Sequence, residues 1–207
     1  MIVTISSEYG SGALGIGQCV AERLGYRFID EQLPVVVAKR LQTSPEAVDA
    51  AQDPRRGFGA RLLSGLEIAT PELQGAGGRR QSFDEQCLRG VESAVREFAA
   101  EGNVVFFGRA ANAILGRQHE VVRVFIYAPA PWRTQHIMEA LGVSEKVAGE
   151  EIARVDQARA AYARDHYGIR WGDPHNYDLS LDAARLGMDA ACELIERAAG
   201  ALRTDDL

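Results

Sequence analysis

Ile2-Val3-Thr4-Ile5-Ser6, Ser7-Glu8-Tyr9-Gly10-Ser11-Gly12-Ala13-Leu14-Gly15-Ile16-Gly17, Gln18 to Leu24, and Gly25-Tyr26-Arg27-Phe28-Ile29-Asp30 follow one another in the first part of the chain. The first run is β-branched and reads as a buried parallel strand. The second is a glycine-rich turn. Ile16, Cys19, Val20 and Leu24 then recur at helical spacing, so the third run has one apolar helical face, with Glu22 and Arg23 off it. Gly25 suits a left-handed helix end, and Tyr26 to Ile29 is a second short strand ending in Asp30. Together these runs outline a strand, a phosphate-sized turn and a helix. Amides in such a turn, backed by a helix N-terminus, can hold phosphate oxygens. The usual pattern, G-x-x-x-x-G-K-[ST], is not met, because no lysine follows Gly12, Gly15 or Gly17. On this loop alone, a tight β–α turn whose glycines serve packing is an equal reading.

The 207 residues suffice for one sizeable domain with an inserted segment. A composition of 46% hydrophobic and 25% charged residues is that of an ordinary soluble protein. The net charge of −6 argues against a general nucleic-acid binder, although a local basic cleft is compatible with it. Cys19, Cys87 and Cys192 are far apart, so a disulfide framework is not expected and a reduced compartment fits. The four histidines lack metal-ligand spacing. No leader-like segment or membrane-length apolar run is present, so a cytoplasmic protein with no membrane partner is expected.

Further along, helices are expected over Val35–Leu41, Pro45–Ala51 and Leu62–Ile68. Asp53–Gly59 and Thr70–Gln81 read as loops, the latter carrying Arg79 and Arg80. Ser82 with Glu85 forms a capping box that opens a helix to about Ala100. Val104–Phe107 and Val121–Tyr127 are apolar strands, and the first leads into Gly108-Arg109. A helix runs through Leu141, another capped by Ser144 covers about 145–165, a last strand lies over Tyr177–Asp182, and Leu186–Ala199 is a closing helix. Short apolar strands alternating with helices predict an α/β fold with a parallel sheet covered by helices on both faces.

Gly10-Ser11-Gly12, the helix end Ala21-Glu22-Arg23-Leu24-Gly25 and the strand ending in Asp30 resemble the opening of bacterial cytidylate kinases. Ser6-Ser7-Glu8-Tyr9-Gly10-Ser11-Gly12 is closer still to the cytidylate kinase-like family, in which arginine is usual at the place of Ser7. The resemblance recurs in order at Val105-Phe106-Phe107-Gly108-Arg109, Trp171-Gly172-Asp173-Pro174 and Asn176-Tyr177-Asp178-Leu179. It implies a P-loop three-layer sandwich with a core at about 1–30 and 102–207, a helical acceptor-binding insert at about 31–101 and a lid region at about 144–175. It also implies transfer of the ATP γ-phosphoryl group, with Mg²⁺, to a nucleoside monophosphate or related small molecule. A small-molecule nucleotide is then the partner, and a homodimer is allowed.

On this resemblance Gly10, Ser11, Gly12, Ala13, Leu14 and Gly15 hold the donor phosphates. Arg109 contacts the acceptor's phosphate, and Arg159 and Arg164 of the lid helix close over the transferring group. Ala13 stands where cytidylate kinases carry the phosphate-binding lysine, Leu14 and Gly15 where they carry hydroxyls, and Ala110 where they carry a base- or sugar-reading aspartate. Relatives with the Glu-Tyr-Gly-Ser-Gly loop commonly lack the lysine too. The metal ligands are unassigned, and the alternative to a kinase is a nucleotide-binding regulatory module without turnover. Asp30 and Glu31 either orient the acceptor or a magnesium-bound water, or cap a helix. The arginines of the lid helix are otherwise a solvated, salt-bridged face, and Trp171–Leu179 shapes the adenine side or is a structural corner.

Overall fold

A computed structural model of the chain describes residues 1–30, 32–52, 82–118 and 120–204. The expected helix at Leu62–Ile68, the loops Asp53–Gly59 and Thr70–Gln81 with Arg79 and Arg80, and Glu31 lie outside the described residues. β1 (Ile2–Ser7) is buried along its whole length. It is the middle strand of a parallel sheet that also contains β2 (Arg27–Ile29), β3 (Val104–Phe107), β4 (Val121–Tyr127) and β5 (Leu179–Asp182), in the order β2-β3-β1-β4-β5. Ile2 lies opposite Val104 on one side and Val121 on the other, and Ile5 opposite Phe107 and Val124. Because paired residues share a face, Val3, Ile5, Val105, Val122, Val124 and Ile126 form one apolar surface. α1 (Ala13–Leu24) and α8 (Ala183–Thr204) cover it with Ile16, Val20, Cys192 and Ile195.

The remaining helices are α2 (Gln32–Leu41), α3 (Pro45–Gln52), α4 (Phe83–Glu101), α5 (Ala111–Leu115), α6 (Ala130–Leu141) and α7 (Glu145–Tyr167). Sequence signals for helix ends are realised. Gly25 caps α1 in the left-handed conformation, and Ser144 Oγ accepts from the Val147 amide to start α7. In the Ser82 capping box Ser82 Oγ accepts from the Glu85 amide at 3.2 Å, and Glu85 accepts back from the Ser82 amide at 3.3 Å. Three details differ from expectation. α5, only five residues long, follows Arg109 with too little length for a periodic signal. The last strand starts at Leu179, because Tyr177 closes a 3₁₀ turn with Pro174. The closing helix runs from Ala183 to Thr204, begun by Asp182 Oδ1 accepting from the Ala184 and Arg185 amides and interrupted at Gly187 (φ 73°, ψ 172°).

Two compact units are present: Met1–Asp30 with Val95–Leu207, and Glu31–Ala94. In the second, α2 and α4 approach closely at Gly90, where a Cβ would lie 2.8 Å from Val37 Cγ1. All three cysteines are free. Burial pushes the Cys87 thiol up to about 11 and the Cys192 thiol up to about 12, so neither is a ready nucleophile.

One buried charge sits on the sheet itself. Arg123 of β4 is 6% exposed and is held by Asp178, which accepts from its backbone amide at 2.8 Å and from Nε at 3.1 Å. Burial pushes the Asp178 carboxyl up, but the hydrogen bonds from Arg123 outweigh this and hold it below the usual carboxylate range. The stabilisation from a depressed carboxylate is complete above its unfolded pKa, near 4, and is lost as pH falls through the folded value. Asp178→Asn is therefore expected to lower stability by about 1 kcal/mol at pH 7, because water screens a carboxylate whose side chain is 37% exposed. The gap from the parent should shrink on acidification below pH 4. Urea unfolding at pH 7 and pH 3 checks this, and an equal gap at both would disprove it.

Candidate active site

Three neighbouring parallel strands end at the same edge of the sheet. β1 leads into Glu8–Gly12, β2 into Asp30, and β3 into Gly108-Arg109. β1 is where the chain's crossovers change direction, the place at which open α/β sheets bind ligands. The Glu8 amide donates to Ile126 O at 3.0 Å, extending the β1–β4 ladder by one rung. The chain then turns, with the Ser11 amide donating to Glu8 O at 3.3 Å. Gly10 has φ 80°, and a Cβ there would lie 3.0 Å from Ile137 Cγ1 and 3.1 Å from Arg133 O. Both its conformation and its close approach to α6 require glycine. Gly12, at φ 75°, is the N-cap of α1 and supplies no side-chain cap. The first amides of α1, from Ala13 onward, therefore point out of the helix with no intrahelical acceptor. Ser11 is 1% exposed and its Oγ is buried without a hydrogen-bond partner. A buried orphan hydroxyl beside orphan amides is the donor set of an anion site.

The loop is fastened from outside by α6 and α7. Arg133 of α6, its side chain 10% exposed, donates from Nη1 to Tyr9 O at 3.1 Å and to Asp156 Oδ2 at 2.6 Å. Its Nε donates to Ala128 O at 3.0 Å and lies 3.3 Å from Glu8 Oε2. Glu8 Oε2 also accepts from the Ala128 amide at 3.2 Å. The other oxygen of Asp156, on α7, accepts from the Tyr9 amide at 2.8 Å. One turn further along α7, Arg159 Nη1 donates to Ser7 O at 2.6 Å, and its guanidinium lies 5.9 Å from the Tyr9 ring centre. Burial holds the Arg159 guanidinium below its ordinary value; Asp156, Tyr9 and Asp30 draw it up and Arg109 pushes it down. Asp30 and Arg109 are thus both near enough to Arg159 to act on its charge.

Of the residues singled out from sequence, the loop Gly10–Gly15, Asp30, Arg109 and Arg159 come together. Arg164 is elsewhere: its Nε donates to Asp165 at 2.8 Å and its side chain is mostly exposed. Arg154 pairs with Glu151 on its own helix. Trp171 and Tyr177 pack on Phe125 with ring centres 5.4 and 5.0 Å away, and Asn176 Nδ2 donates to Arg170 O, so that segment is a packed corner. Sequence reasoning gave no role to Glu8, Tyr9 or Arg133. No local spacing points to them; the one signal nearby is the three-residue step from Asp156 to Arg159, which puts a carboxylate and a guanidinium on one face of α7.

Gly108 (φ 73°), Arg109 (φ 56°) and Ala110 (φ 50°) are left-handed in succession. For the two non-glycine residues this conformation costs roughly 1–2 kcal/mol each. Strain of this kind collects at ligand sites, and here it turns the chain directly from β3 into α5. Ala110→Gly is expected to raise stability by about 1 kcal/mol, because relief at φ > 0 exceeds glycine's added unfolded-state entropy. A thermal melt checks this, with a rise of roughly 2–4 °C for a chain of this size. A fall would contradict it.

A five-stranded parallel sheet of this order, flanked by helices and carrying a glycine loop after its middle strand, is the fold of the P-loop kinases. A shikimate kinase from Bacteroides thetaiotaomicron shares it at a TM-score of 0.50 and 14% identity, with 97% of this chain and 98% of that one aligned. An uncharacterized protein from Eubacterium ventriosum aligns at a TM-score of 0.68 and 21% identity, again over 97% and 98%. The chain belongs to the cytidylate kinase-like family, whose sequence profile matches residues 2–185. It is similar to proteins named cytidylate kinase from Natronomonas pharaonis, 27% identical over 100% of this chain and 93% of that one, and from Ignicoccus hospitalis, 25% identical over 95% and 97%. Among the described residues no helix is long and apolar enough to cross a membrane.

Proposed function

We propose that this chain is an ATP-dependent phosphotransferase of the nucleoside monophosphate kinase type, acting in the cytoplasm. It moves the ATP γ-phosphoryl group to a nucleoside monophosphate or a related phosphorylated small molecule. One observation carries the reading. The amides at the start of α1, the orphan Ser11 hydroxyl, Asp30, Arg109 and Arg159 come from separate segments and share one end of the sheet. Phosphoryl transfer is in-line and asks for positioning and positive charge more than for a covalent catalyst. The loop from Gly10 to Gly15 holds the donor phosphates. Arg159 neutralises charge on the transferring group, Arg109 binds the acceptor's phosphate, and Asp30 orients the acceptor. Arg164 would have to leave Asp165 to take part. A polyphosphate suits this donor set. Magnesium suits it less well, because Ala13, Leu14 and Gly15 offer no side-chain oxygen and the described residues hold no group of three or more metal-ligating side chains.

The same three residues favour the second reading, a nucleotide-binding regulatory module without turnover. Purified protein, ATP, Mg²⁺ and a panel of nucleoside monophosphates separate the two. ADP release with at least one acceptor is expected. ATP binding with no ADP for any acceptor favours the regulatory module, and no nucleotide binding at all overturns both. Arg109→Ala is expected to raise the acceptor KM about 10–100-fold and leave the donor KM unchanged. An unchanged acceptor KM would remove Arg109 from this role.

A further inference from the structure

We infer that Asp156, together with Arg133, is a positioning residue that sets the phosphate loop in its anion-binding shape before any ligand arrives. The inference rests on the phosphate-binding reading of the loop given above.

Asp156 accepts from the Tyr9 amide at 2.8 Å, and Arg133 donates to the Tyr9 carbonyl at 3.1 Å. Both main-chain polar groups of the residue before Gly10 are thereby taken by one ion pair, itself closed at 2.6 Å. Arg133 also reaches Ala128 O and Glu8, so the fork joins the loop to the end of β4 and the first turn of α6. Gly10 then packs against Ile137 and the Arg133 carbonyl with no room for a side chain. Tyr9 is the last residue before the left-handed turn that aims the amides after Gly12, so fixing its peptide planes fixes the direction of those amides. A loop without lysine depends more heavily on its amides, and their aim is what Asp156 controls.

The sign of the effect separates positioning from plain electrostatics. Asp156 lies beside Arg159 and raises its pKa by charge. As a point charge it competes with an incoming phosphate for that guanidinium. Removing the negative charge should then tighten anion binding. If Asp156 positions the loop, removing it should weaken anion binding despite the better charge balance. Asp156→Asn is nearly isosteric and tests this directly. Its amide can accept from Tyr9 or face Arg133, but one of the two contacts becomes donor against donor.

The 207-residue chain and its Asp156→Asn and Asp156→Ala variants are titrated with sodium tripolyphosphate by calorimetry, at a temperature where circular dichroism shows each folded. Amide exchange of Ser11 and Gly12 is followed in the unliganded proteins, with Val105 of β3 as the reference for global opening. The expected result is tripolyphosphate binding weakened by about tenfold or more in both variants, with faster exchange at Ser11 and Gly12 and none of that change at Val105. Unchanged or tighter binding in the folded variants overturns the proposal. A lower melting temperature with unchanged binding also overturns it, because that is a purely structural role. If the parent protein binds no tripolyphosphate, the phosphotransferase reading falls. Exchange alone then decides whether Asp156 sets the loop, and unchanged exchange overturns the proposal. Should the Asp156 variants not fold, Arg133→Lys keeps the charge, loses the fork and is judged by the same two measurements.

Discussion

Arg133→Met is expected to lower folding stability by about 3–5 kcal/mol, the range for removing one member of a buried ion pair. The Arg133 side chain is 10% exposed, and its guanidinium serves the Tyr9 and Ala128 carbonyls and the carboxylates of Glu8 and Asp156. Methionine fills much of the volume and satisfies none of these groups. Two carboxylates, Glu8 and Asp156, 27% and 18% exposed, then lose the cation they share. The penalty comes mainly from those stranded charges and less from the lost attraction. Lysine is expected to fall between the two, since a single ammonium cannot span acceptors on both sides of Tyr9. The comparison is Arg164→Met, an exposed pair that should change stability by less than about 0.5 kcal/mol. Urea denaturation of the three variants gives the answer. Equal losses for Arg133→Met and Arg164→Met would mean that the fork contributes nothing to the fold.

The second large effect is expected on the proposed phosphoryl transfer. Arg159→Ala is expected to lower kcat/KM about 10²–10³-fold, the scale of removing one preorganised charge from a transition state. Burial lowers the Arg159 pKa, but an arginine starts so high that it stays charged across the working pH range. Its Nη1 contact with Ser7 O holds the guanidinium beside the loop. A rise in the ATP KM alone would assign Arg159 to ground-state binding, whereas a fall in kcat with KM little changed places it on the transferring group. A variant within threefold of the parent in both constants would show that some other cation does this work. Arg159→Lys should recover part of the loss, because it restores charge without the planar fork.

Much of this architecture can be read in the residues because its signals are local. The β-branched run Ile2–Ser6 before a glycine cluster specifies the middle strand. Gly25, Ser144 and the Ser82–Glu85 pair announce helix ends by their own hydrogen bonds. Gly108-Arg109 after an apolar run marks the strand end that faces the loop. The fork around Tyr9 is a different case. Tyr9 and Asp156 are 147 residues apart, and Arg133 and Asp156 are 23 apart, so nothing in either neighbourhood announces the partner. Spacing puts Arg159 on the same face of α7 as Asp156, but does not say which face of the helix meets the loop. Arg159 meets the loop and Arg164 meets solvent because one lies a turn beyond Asp156 and the other does not. The missing lysine was plain from the start. The ion pair on Tyr9 and the contact of Arg159 with Ser7 O are visible only as geometry.

The register of the sheet bears on how the chain comes together. β1 is made first, yet both of its neighbours lie more than a hundred residues downstream: Ile2 meets Val104 on one side and Val121 on the other. At roughly 5–20 residues per second, the ribosome needs on the order of 6–24 s to reach the second of these after the first strand emerges. Until β3 has been made, Ile2, Val3 and Ile5 have no sheet to enter. Closure of so long a loop must precede any reward from pairing. The middle strand of the finished sheet is therefore, during synthesis, an unpaired apolar segment of the kind chaperones shield.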